Sequence, residues 1–542
     1  MSAPNFLPDS SLPNSLPARS YIARVWRKRP PFYILIPSVV IAVAMLVPLF
    51  YLGLRAFQAD PAMLQELVFR PRNLELLSNT LKLTFGVLVI STLMALPTAW
   101  LVTRTDIRFK KAITLLSIIP LAVPGYVMAY ALLGLGGRYG IFAQLFDWQL
   151  PRINGYYGAV LALAFYTFPY LFLNLRSALL GLDRSLEESA QSLGYTPKQI
   201  FFKVLLPHLA PALMAGWLVI GLYVMGDFGA VALMRYDAFS YAIFTQYSGA
   251  FDRVYAAWLS LMLLALAGSF VLMETLVKRK RLASVGSGIA RSKSEAKLGW
   301  KAIPAWSYLV LVFLCSSGLP IMILAYWLIL APPDLSFFLD VPSTFMRSAL
   351  AAFPAAIMAA GFAIPVTYLL VRYPSRISTA IERSTYIGYA LPPLTLALAM
   401  VFFSLNTAFF LYQTLALLIF TWALASLALA MGPIRSALLQ TRANQEEASF
   451  SLGHSTVTTF WQVVFPRLNR GILAAITLVF LFCMKELPIT FLLAPTGYTT
   501  LAVTVFSRTS EGLMAEAAPF AAAIVIFSSL SVGMVLNRES KK

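Results

Sequence analysis

Charge is scarce in this chain. Of its 542 residues only 12% are Asp, Glu, Lys or Arg, while 59% are hydrophobic. A soluble domain carries roughly 25% charged residues to keep a wet exterior, so an ordinary water-soluble fold is excluded. Cysteine and histidine are scarcer still, with two of each. Cys315 and Cys483 sit inside apolar segments without CxxC spacing and read as small apolar side chains, not as redox or metal groups. His208 and His454 have no partner at metal-ligand spacing and read as ordinary interfacial residues. No GxxxxGK[ST] occurs, so the chain has no P-loop to cradle a nucleotide, and no nucleophile–base constellation marks a kinase or hydrolase.

Long apolar runs fill the rest. Stretches of about 20 apolar residues read as membrane-spanning helices. Six are predicted near 32–54, 77–102, 112–135, 156–180, 209–234 and 254–277. Six more follow near 304–330, 345–371, 384–405, 408–431, 468–494 and 514–536. The expected organisation is an arm at 1–31, a six-span domain at 32–277, a basic linker at 278–303, a second six-span domain at 304–537 and a tail at 538–542. The first run has no A-x-A-like cleavage site close behind it and reads as a retained span. A net charge of +19 invites a nucleic-acid reading, but the basic residues fall in short loops between spans, as membrane orientation requires. Arm, linker, tail and the loops on their side hold 31 Lys and Arg against 10 opposite, which puts both termini in the cytoplasm and excludes a nucleic-acid partner.

The chain is also a duplication. The polar run EESAQSLGYTPKQIFFKVLLP at 187–207 returns 259 positions later as EEASFSLGHSTVTTFWQVVFP at 446–466. Arg176 and Arg435, Met225 and Met484, and Asp227 and Glu486 share that offset. A second register of 268 pairs Pro97 with Pro365, Arg104 with Arg372 and Pro124 with Pro392. Each half holds an even number of spans, so both insert the same way up, related by an axis along the membrane normal. Within the first polar run Glu187, Glu188, Gln191 and Lys198 can share a polar side, while Leu186, Ala190 and Leu193 form a narrow apolar strip. That predicts a short amphipathic helix lying at the interface. Gly194 and Gly453 end it, Thr196-Pro197 starts a further turn, and Pro207 and Pro466 redirect the chain into the membrane.

These residues resemble a known family. The pattern E-A-A, three residues, G, nine residues, I-x-L-P marks the permease subunits of binding-protein-dependent ABC importers. It stands here as Glu188-Ser189-Ala190, Gly194, Val204, Leu206, Pro207, and again as Glu447-Ala448-Ser449, Gly453, Val463, Phe465, Pro466. Each copy replaces one motif Ala by Ser. Ferric-iron importers that fuse two halves in one chain are similar over nearly the full length, notably at AWLVTRTD (99–106), GDFGAVALMRYDAF (226–239), MKELPITFLLAPTGYTTLAV (484–503) and SEGLMAEAAPF (510–520). The resemblance implies an all-α integral membrane protein of the type I importer class, twelve spans in two tandem repeats, in a bacterial inner membrane. It implies a transport subunit, not an enzyme. ATP and Mg²⁺ would belong to two copies of a separate cytoplasmic ATPase. The other partners would be a periplasmic iron-binding protein and the lipid bilayer, with one copy of this chain per complex and no cofactor of its own. Glu187, Glu188, Ala190, Gly194 and Pro207, with Glu446, Glu447, Ala448, Gly453 and Pro466, would then form the two helices that dock the ATPase. Alternating access would move the substrate, Fe³⁺.

Candidates along the path follow from the cost of intramembrane charge. Asp227 and Glu486 hold equivalent places in the fifth span of each half, in the helix-loosening contexts Gly226-Asp227-Phe228-Gly229 and Lys485-Glu486-Leu487-Pro488. Either they line the central path, giving a hard cation transient oxygen contact without a stable metal site, or they make buried structural hydrogen bonds. Tyr126 with Tyr130, and Tyr166 with Tyr170, can present phenol oxygens, although i, i+4 aromatic pairs more often pack or anchor at interfaces. Pro120, Pro124, Pro392 and Pro393 are expected to kink the third spans. Thiamine, sulfate or a polyamine are the alternative substrates. A six-plus-six secondary transporter is the alternative class, though it would not need a duplicated polar helix after each fourth span.

Overall fold

The computed structural model describes residues 30–58, 61–138, 140–183, 185–281, 296–331, 335–441 and 443–540. Most of the predicted arm, the middle of the linker and the last two residues of the tail lie outside these. The first half runs through α1 (Phe32–Ala56), α2 (Pro71–Arg104), α3 (Lys110–Ile118), α4 (Gly125–Leu135), α5 (Gly155–Gly181), α6 (Ser185–Ser192), α7 (Leu206–Gly226), α8 (Gly229–Leu233), α9 (Phe239–Phe244) and α10 (Arg253–Arg281). The second half runs through α11 (Ala302–Phe313), α12 (Leu319–Ile329), α13 (Leu335–Arg372), α14 (Arg376–Ala390), α15 (Pro393–Thr407), α16 (Leu415–Ala425) and α17 (Leu427–Gln440). It ends with α18 (Ala443–Ser451), α19 (Phe465–Met484), α20 (Pro488–Leu493), α21 (Leu501–Ser510) and α22 (Met514–Ser540). Among the described residues the only extended pairing is one isolated bridge, Thr105 to Ala296.

Among the described residues nine helices are long and apolar enough to span a bilayer, or up to twelve if three bent pairs each count as one span. The bent pairs correct the sequence reading. The third spans do not merely kink: α3 and α4 meet at 93°, and α14 and α15 at 102°. Pro120 is accommodated in a 3-10 turn, whereas Pro124 in one half and Pro392-Pro393 in the other follow non-helical Val123, Leu391 and Pro392, so the chain turns across its own course there. The α16–α17 break of 52° was not foreseen. It falls at Ser426, with no proline there to announce it.

The prolines after the polar runs behave differently from expectation. Pro197–Gly226 and Thr456–Met484 are continuous helical spans. A wider π turn at Phe201–Leu205, and another at Phe460–Val464, directly precedes Pro207 and Pro466. A proline lacks the N–H and crowds the carbonyl four residues back, and widening the turn relieves that clash without bending the span. The fifth spans instead break later, at Asp227-Phe228 and at Lys485 to Leu487, and resume as the short helices α8 and α20.

The halves are interlocked. α1 packs on α13, α14 and α15 of the other half, and α12 packs on α4 of the first half as well as on α22. On α13 the small side chains Ala352, Ala355, Ala356, Ala359 and Ala363 are fully buried. Packing between membrane helices rests on such close backbone approach, because lipid is as apolar as leucine. The end of the linker is pinned as well. Ala296 donates its N–H to the Arg104 carbonyl at 3.0 Å and accepts from Asp106 N–H at 3.2 Å.

Candidate functional site

Two regions carry the predicted site residues. The first is the end of the bundle that bears the polar runs. α6 starts at Ser185, whose N–H donates to Asp183 at 3.0 Å. That backbone donor, helped by the Ser185 hydroxyl and by Arg104, holds the Asp183 carboxyl below its ordinary range against a small burial effect. α6 ends at Gly194 with φ +81°, and α18 at Gly453 with φ +84°, where a side chain would be strained. A capping box between Thr196 and Gln199 starts the next turn, as the Thr-Pro signal indicates.

The two glutamates of each pair do not share a face, contrary to the sequence reading. Neighbouring helix positions diverge by about 100°, and the first of each pair turns inward. Arg372 Nη2 lies 2.7 Å from Glu446 Oε1, Tyr368 donates its hydroxyl to Glu446 Oε2 at 2.8 Å, and Arg372 also donates to the Thr441 carbonyl at 3.0 Å. The first half repeats this more loosely. Arg104 Nε lies 3.3 Å from Glu187 Oε1, and Arg104 donates to the Leu182 carbonyl at 3.0 Å. Trp100 stands where the other half has Tyr368. Glu187 and Glu446 therefore tie α6 and α18 to the ends of α2 and α13. Glu188 is exposed and Glu447 partly so. Ala190 is buried, and its counterpart is Ser449, bonded to Thr459 at 2.8 Å, so Ala448 points outward. Pro207 and Pro466 are exposed. Leu193 and Leu452, just before the two glycines, stand 76% and 80% exposed as paired apolar knobs.

The second region is where the broken spans of the two halves meet. A Cβ on Gly226 would stand 3.2 Å from Pro393 and 3.4 Å from Pro392 of the other half. Lys485, its counterpart, donates to the Leu121 carbonyl of the first half at 3.2 Å. Each fifth-span break is thus seated on the third-span break opposite. Beyond it, four rings from both halves close together: Phe228 to Phe244 at 4.8 Å, Phe228 to Phe506 at 5.3 Å, Phe244 to Phe491 at 5.4 Å and Phe491 to Phe506 at 5.5 Å. Phe244 and Phe506 are each the sixth residue of their helix, α9 and α21.

Asp227 and Glu486 both sit at this crossing and both cap a short helix. Asp227 Oδ1 accepts from Ala230 N–H at 2.9 Å. Glu486 accepts from Ile489 N–H at 2.7 Å, Thr490 N–H at 3.0 Å, the Thr490 hydroxyl at 2.9 Å and Trp422 Nε1 at 3.0 Å. Buried polar groups are normally satisfied in this way. The structural alternative accounts for Glu486, whose two oxygens are taken up. Tyr126 and Tyr130 do not converge: Tyr126 donates to the Lys485 carbonyl at 3.4 Å and Tyr130 to the Met514 carbonyl at 2.9 Å. Among the described residues no three His, Cys, Asp or Glu side chains group as metal ligands.

Residues 90–282 and 352–538 each match the family described as binding-protein-dependent transport system inner membrane component. The chain belongs to this family. Relatives of the permease include the Fe(3+)-transport system permease protein FbpB 2 of Haemophilus influenzae, 32% identical over 93% of this chain and 98% of that one. The ferric transport system permease protein FbpB of Actinobacillus pleuropneumoniae is 22% identical over 91% of this chain and 74% of its own length. The sulfate transport system permease protein CysT of Salmonella typhimurium is 31% identical over 35% of this chain and 69% of that one. Both matched stretches of the permease begin inside a second span, so α1, α11 and α12, the interlocking elements, lie outside them.

What the sequence reading missed is the pairing of Glu187 with Arg104 and of Glu446 with Arg372, which turns the first glutamate of each pair inward. Arg104 and Arg372 were visible as a repeat at the ends of the second spans, and a repeated intramembrane-edge cation is a signal for a repeated acid.

Proposed function

We propose that the permease is the membrane subunit of an ATP-driven importer that carries Fe³⁺ from a periplasmic binding protein to the cytoplasm. The observation that carries this reading is the pairing of two equivalent exposed helices, α6 and α18, at the end of a bundle whose halves meet in an aromatic seal. The exposed Glu188, Leu193, Glu447 and Leu452 suit docking by two copies of a cytoplasmic ATPase, one per half. The broken fifth spans link that end to the seal: α7 is 21 residues long, about 30 Å at 1.5 Å per residue. Termini, linker and polar helices lie in the cytoplasm in this scheme, and the four phenylalanines close the path toward the periplasm. Drawing α6 and α18 together on ATP binding turns the halves about their shared axis, parts Phe244 from Phe506 and opens the path outward. One chain supplies both halves, so one copy serves each complex. Iron as substrate rests on the full-length likeness to the Fe(3+)-transport relative.

The test is ATP-dependent uptake of radiolabelled Fe³⁺ into proteoliposomes holding the permease, its ATPase and its binding protein, with thiamine, polyamines, sulfate and molybdate as competitors. Uptake that needs the binding protein and ignores the competitors supports the reading. ATPase stimulation by a different solute's binding protein, with no iron uptake, removes iron and keeps the class. The sulfate relative, alike over 35% of this chain, makes an oxyanion the second reading. Glu188→Lys and Glu447→Lys should abolish ATPase association while leaving the permease inserted.

A further inference from the structure

A cleft of about 280 Å³ opens where the start of α1, the end of α13 and the π turn before α19 meet, walled by Tyr33, Pro37, Ile364, Tyr368, Phe460 and Trp461. Tyr368 is its inner wall. The ring lies 5.8 Å from that of Phe460, edge-on at 84°, and the hydroxyl donates to Glu446 Oε2 at 2.8 Å. Tyr33 and Trp461, 45% and 57% exposed, form the outer edge. Among the described residues neither the Tyr33 hydroxyl nor the Trp461 Nε1–H has a hydrogen-bond partner. Aromatic rings with a polar tip sit at headgroup level in membranes. An apolar cavity of about 150 Å³ holds a benzene ring, so this cleft has room for the first methylenes of an acyl chain.

The charge around it has one sign. The stretches that wall the cleft, 30–58, 341–381 and 448–485, contain no Asp or Glu. Of the bordering acids, Glu382 and Glu446 are paired with Arg435 and Arg372, and Glu447 lies about 100° round α18 from Glu446. Five cations, Arg19, Arg24, Arg27, Lys28 and Arg29, precede α1 in the sequence. Arg29 is four residues from Tyr33, a reach of at most about 14 Å. Such a cluster beside the start of a span attracts anionic headgroups. In the first half protein covers the equivalent place: Trp100, the counterpart of Tyr368, packs with Leu298 of the linker end and Trp306 of α11 on Leu101, Val102 and Leu309. Phe202, without an N–H, stands for Trp461.

We propose that the cleft binds one anionic phospholipid from the leaflet on the α18 side. Its acyl chain lies along Pro37 and Ile364, and its phosphodiester takes the donors of Tyr33 and Trp461 and the charge of the arm. The lipid backs the Tyr368 ring and, through the Tyr368–Glu446 hydrogen bond, stiffens α18 and not α6. This holds whichever solute the permease carries.

Hydrogen–deuterium exchange of the full chain in phosphatidylethanolamine nanodiscs, with and without phosphatidylglycerol of the same acyl chains, tests this. Peptides over 443–453 should exchange about tenfold more slowly with phosphatidylglycerol, as for a ligand at about ten times its Kd, and those over 185–194 equally in both. Native mass spectrometry should find one phosphatidylglycerol retained per chain. Ile364→Trp fills the cleft and should abolish both effects. Should that side chain disturb the fold, Arg27→Gln, Lys28→Gln and Arg29→Gln together leave the cleft intact and should weaken lipid retention at least about tenfold. Equal exchange at 443–453 in the two lipids, or equal slowing at 185–194, overturns the proposal. So does lipid retention undiminished in both variants. Protection at 443–453 that ignores lipid but is lost in the triple variant also overturns it and gives the cleft to the arm.

Discussion

Glu446→Gln should loosen its helix far more than Glu187→Gln loosens the equivalent one. In the second half the Arg372 and Glu446 side chains are 13% and 7% exposed and 2.7 Å apart, with Tyr368 on the remaining oxygen. Removing one member of a buried pair leaves the other charge uncompensated, at a cost of about 3–5 kcal/mol. In the first half Glu187 is 23% exposed, its distance to Arg104 is 3.3 Å, and Trp100 offers no hydroxyl to the carboxylate. Arg104 is only 6% exposed and the facing Nε and Oε1 atoms are buried, so this longer contact is still worth about 1.5 kcal/mol. Local opening of α18 should then rise about 100-fold or more in Glu446→Gln, against about tenfold for α6 in Glu187→Gln, at 1.4 kcal/mol per factor of ten. Hydrogen–deuterium exchange of peptides covering 443–453 and 185–194, in the intact complex without nucleotide, reads both directly. Equal acceleration in the two variants, or a larger effect at α6, would refute the reasoning. The permease would then hold α6 and α18 with matched stiffness.

Three further outcomes follow from the same geometry. Gly229→Val places a Cβ 2.9 Å from both Leu487 and Tyr126 across the crossing. Overpacking there costs about 1–3 kcal/mol, so buried Cys483 should be alkylated faster in a Cys315→Ser background, and unchanged labelling would count against the seal. Leu193→Asp and Leu452→Asp alter exposed knobs, so thermal stability of the isolated permease should hold within about 0.5 kcal/mol, while co-purification of the ATPase is lost. Thr196→Ala removes one capping partner and should destabilise the turn after Gly194 by about 1 kcal/mol, seen as faster exchange at residues 196–200, with Thr196→Ser restoring protection.

How much was legible in the sequence depends on the length scale of the signal. Span number, the duplication and the polar helices were readable, because each is written in runs of twenty residues or in spacing repeated twice. The right-angle turns at Pro124 and Pro392-Pro393 were anticipated as kinks only, since proline marks where a helix fails and says nothing of the angle its neighbours then impose. The redirection assigned to Pro207 and Pro466 did not occur, because a single extra residue in a π turn absorbs the clash. Glu187 and Glu188 read alike side by side; only the arginine brought in from a distant span separates an inward anchor from an outward contact. The same holds for Asp227 and Glu486, equivalent in the repeat but surrounded by different donors that no spacing rule links.

The crossed first spans bear on how the molecule is made. α1 leaves the ribosome well before α13 to α15, the surfaces of the other half that cover it, which are synthesised a few hundred residues later. At about 5–20 residues per second it waits in lipid for on the order of half a minute. Two separate polypeptides would have to find each other in the plane of the membrane during that interval, exposed to proteases and to wrong partners. Joining the halves in one chain removes that search: the missing surface always arrives in the same patch of membrane, in a ratio of one to one.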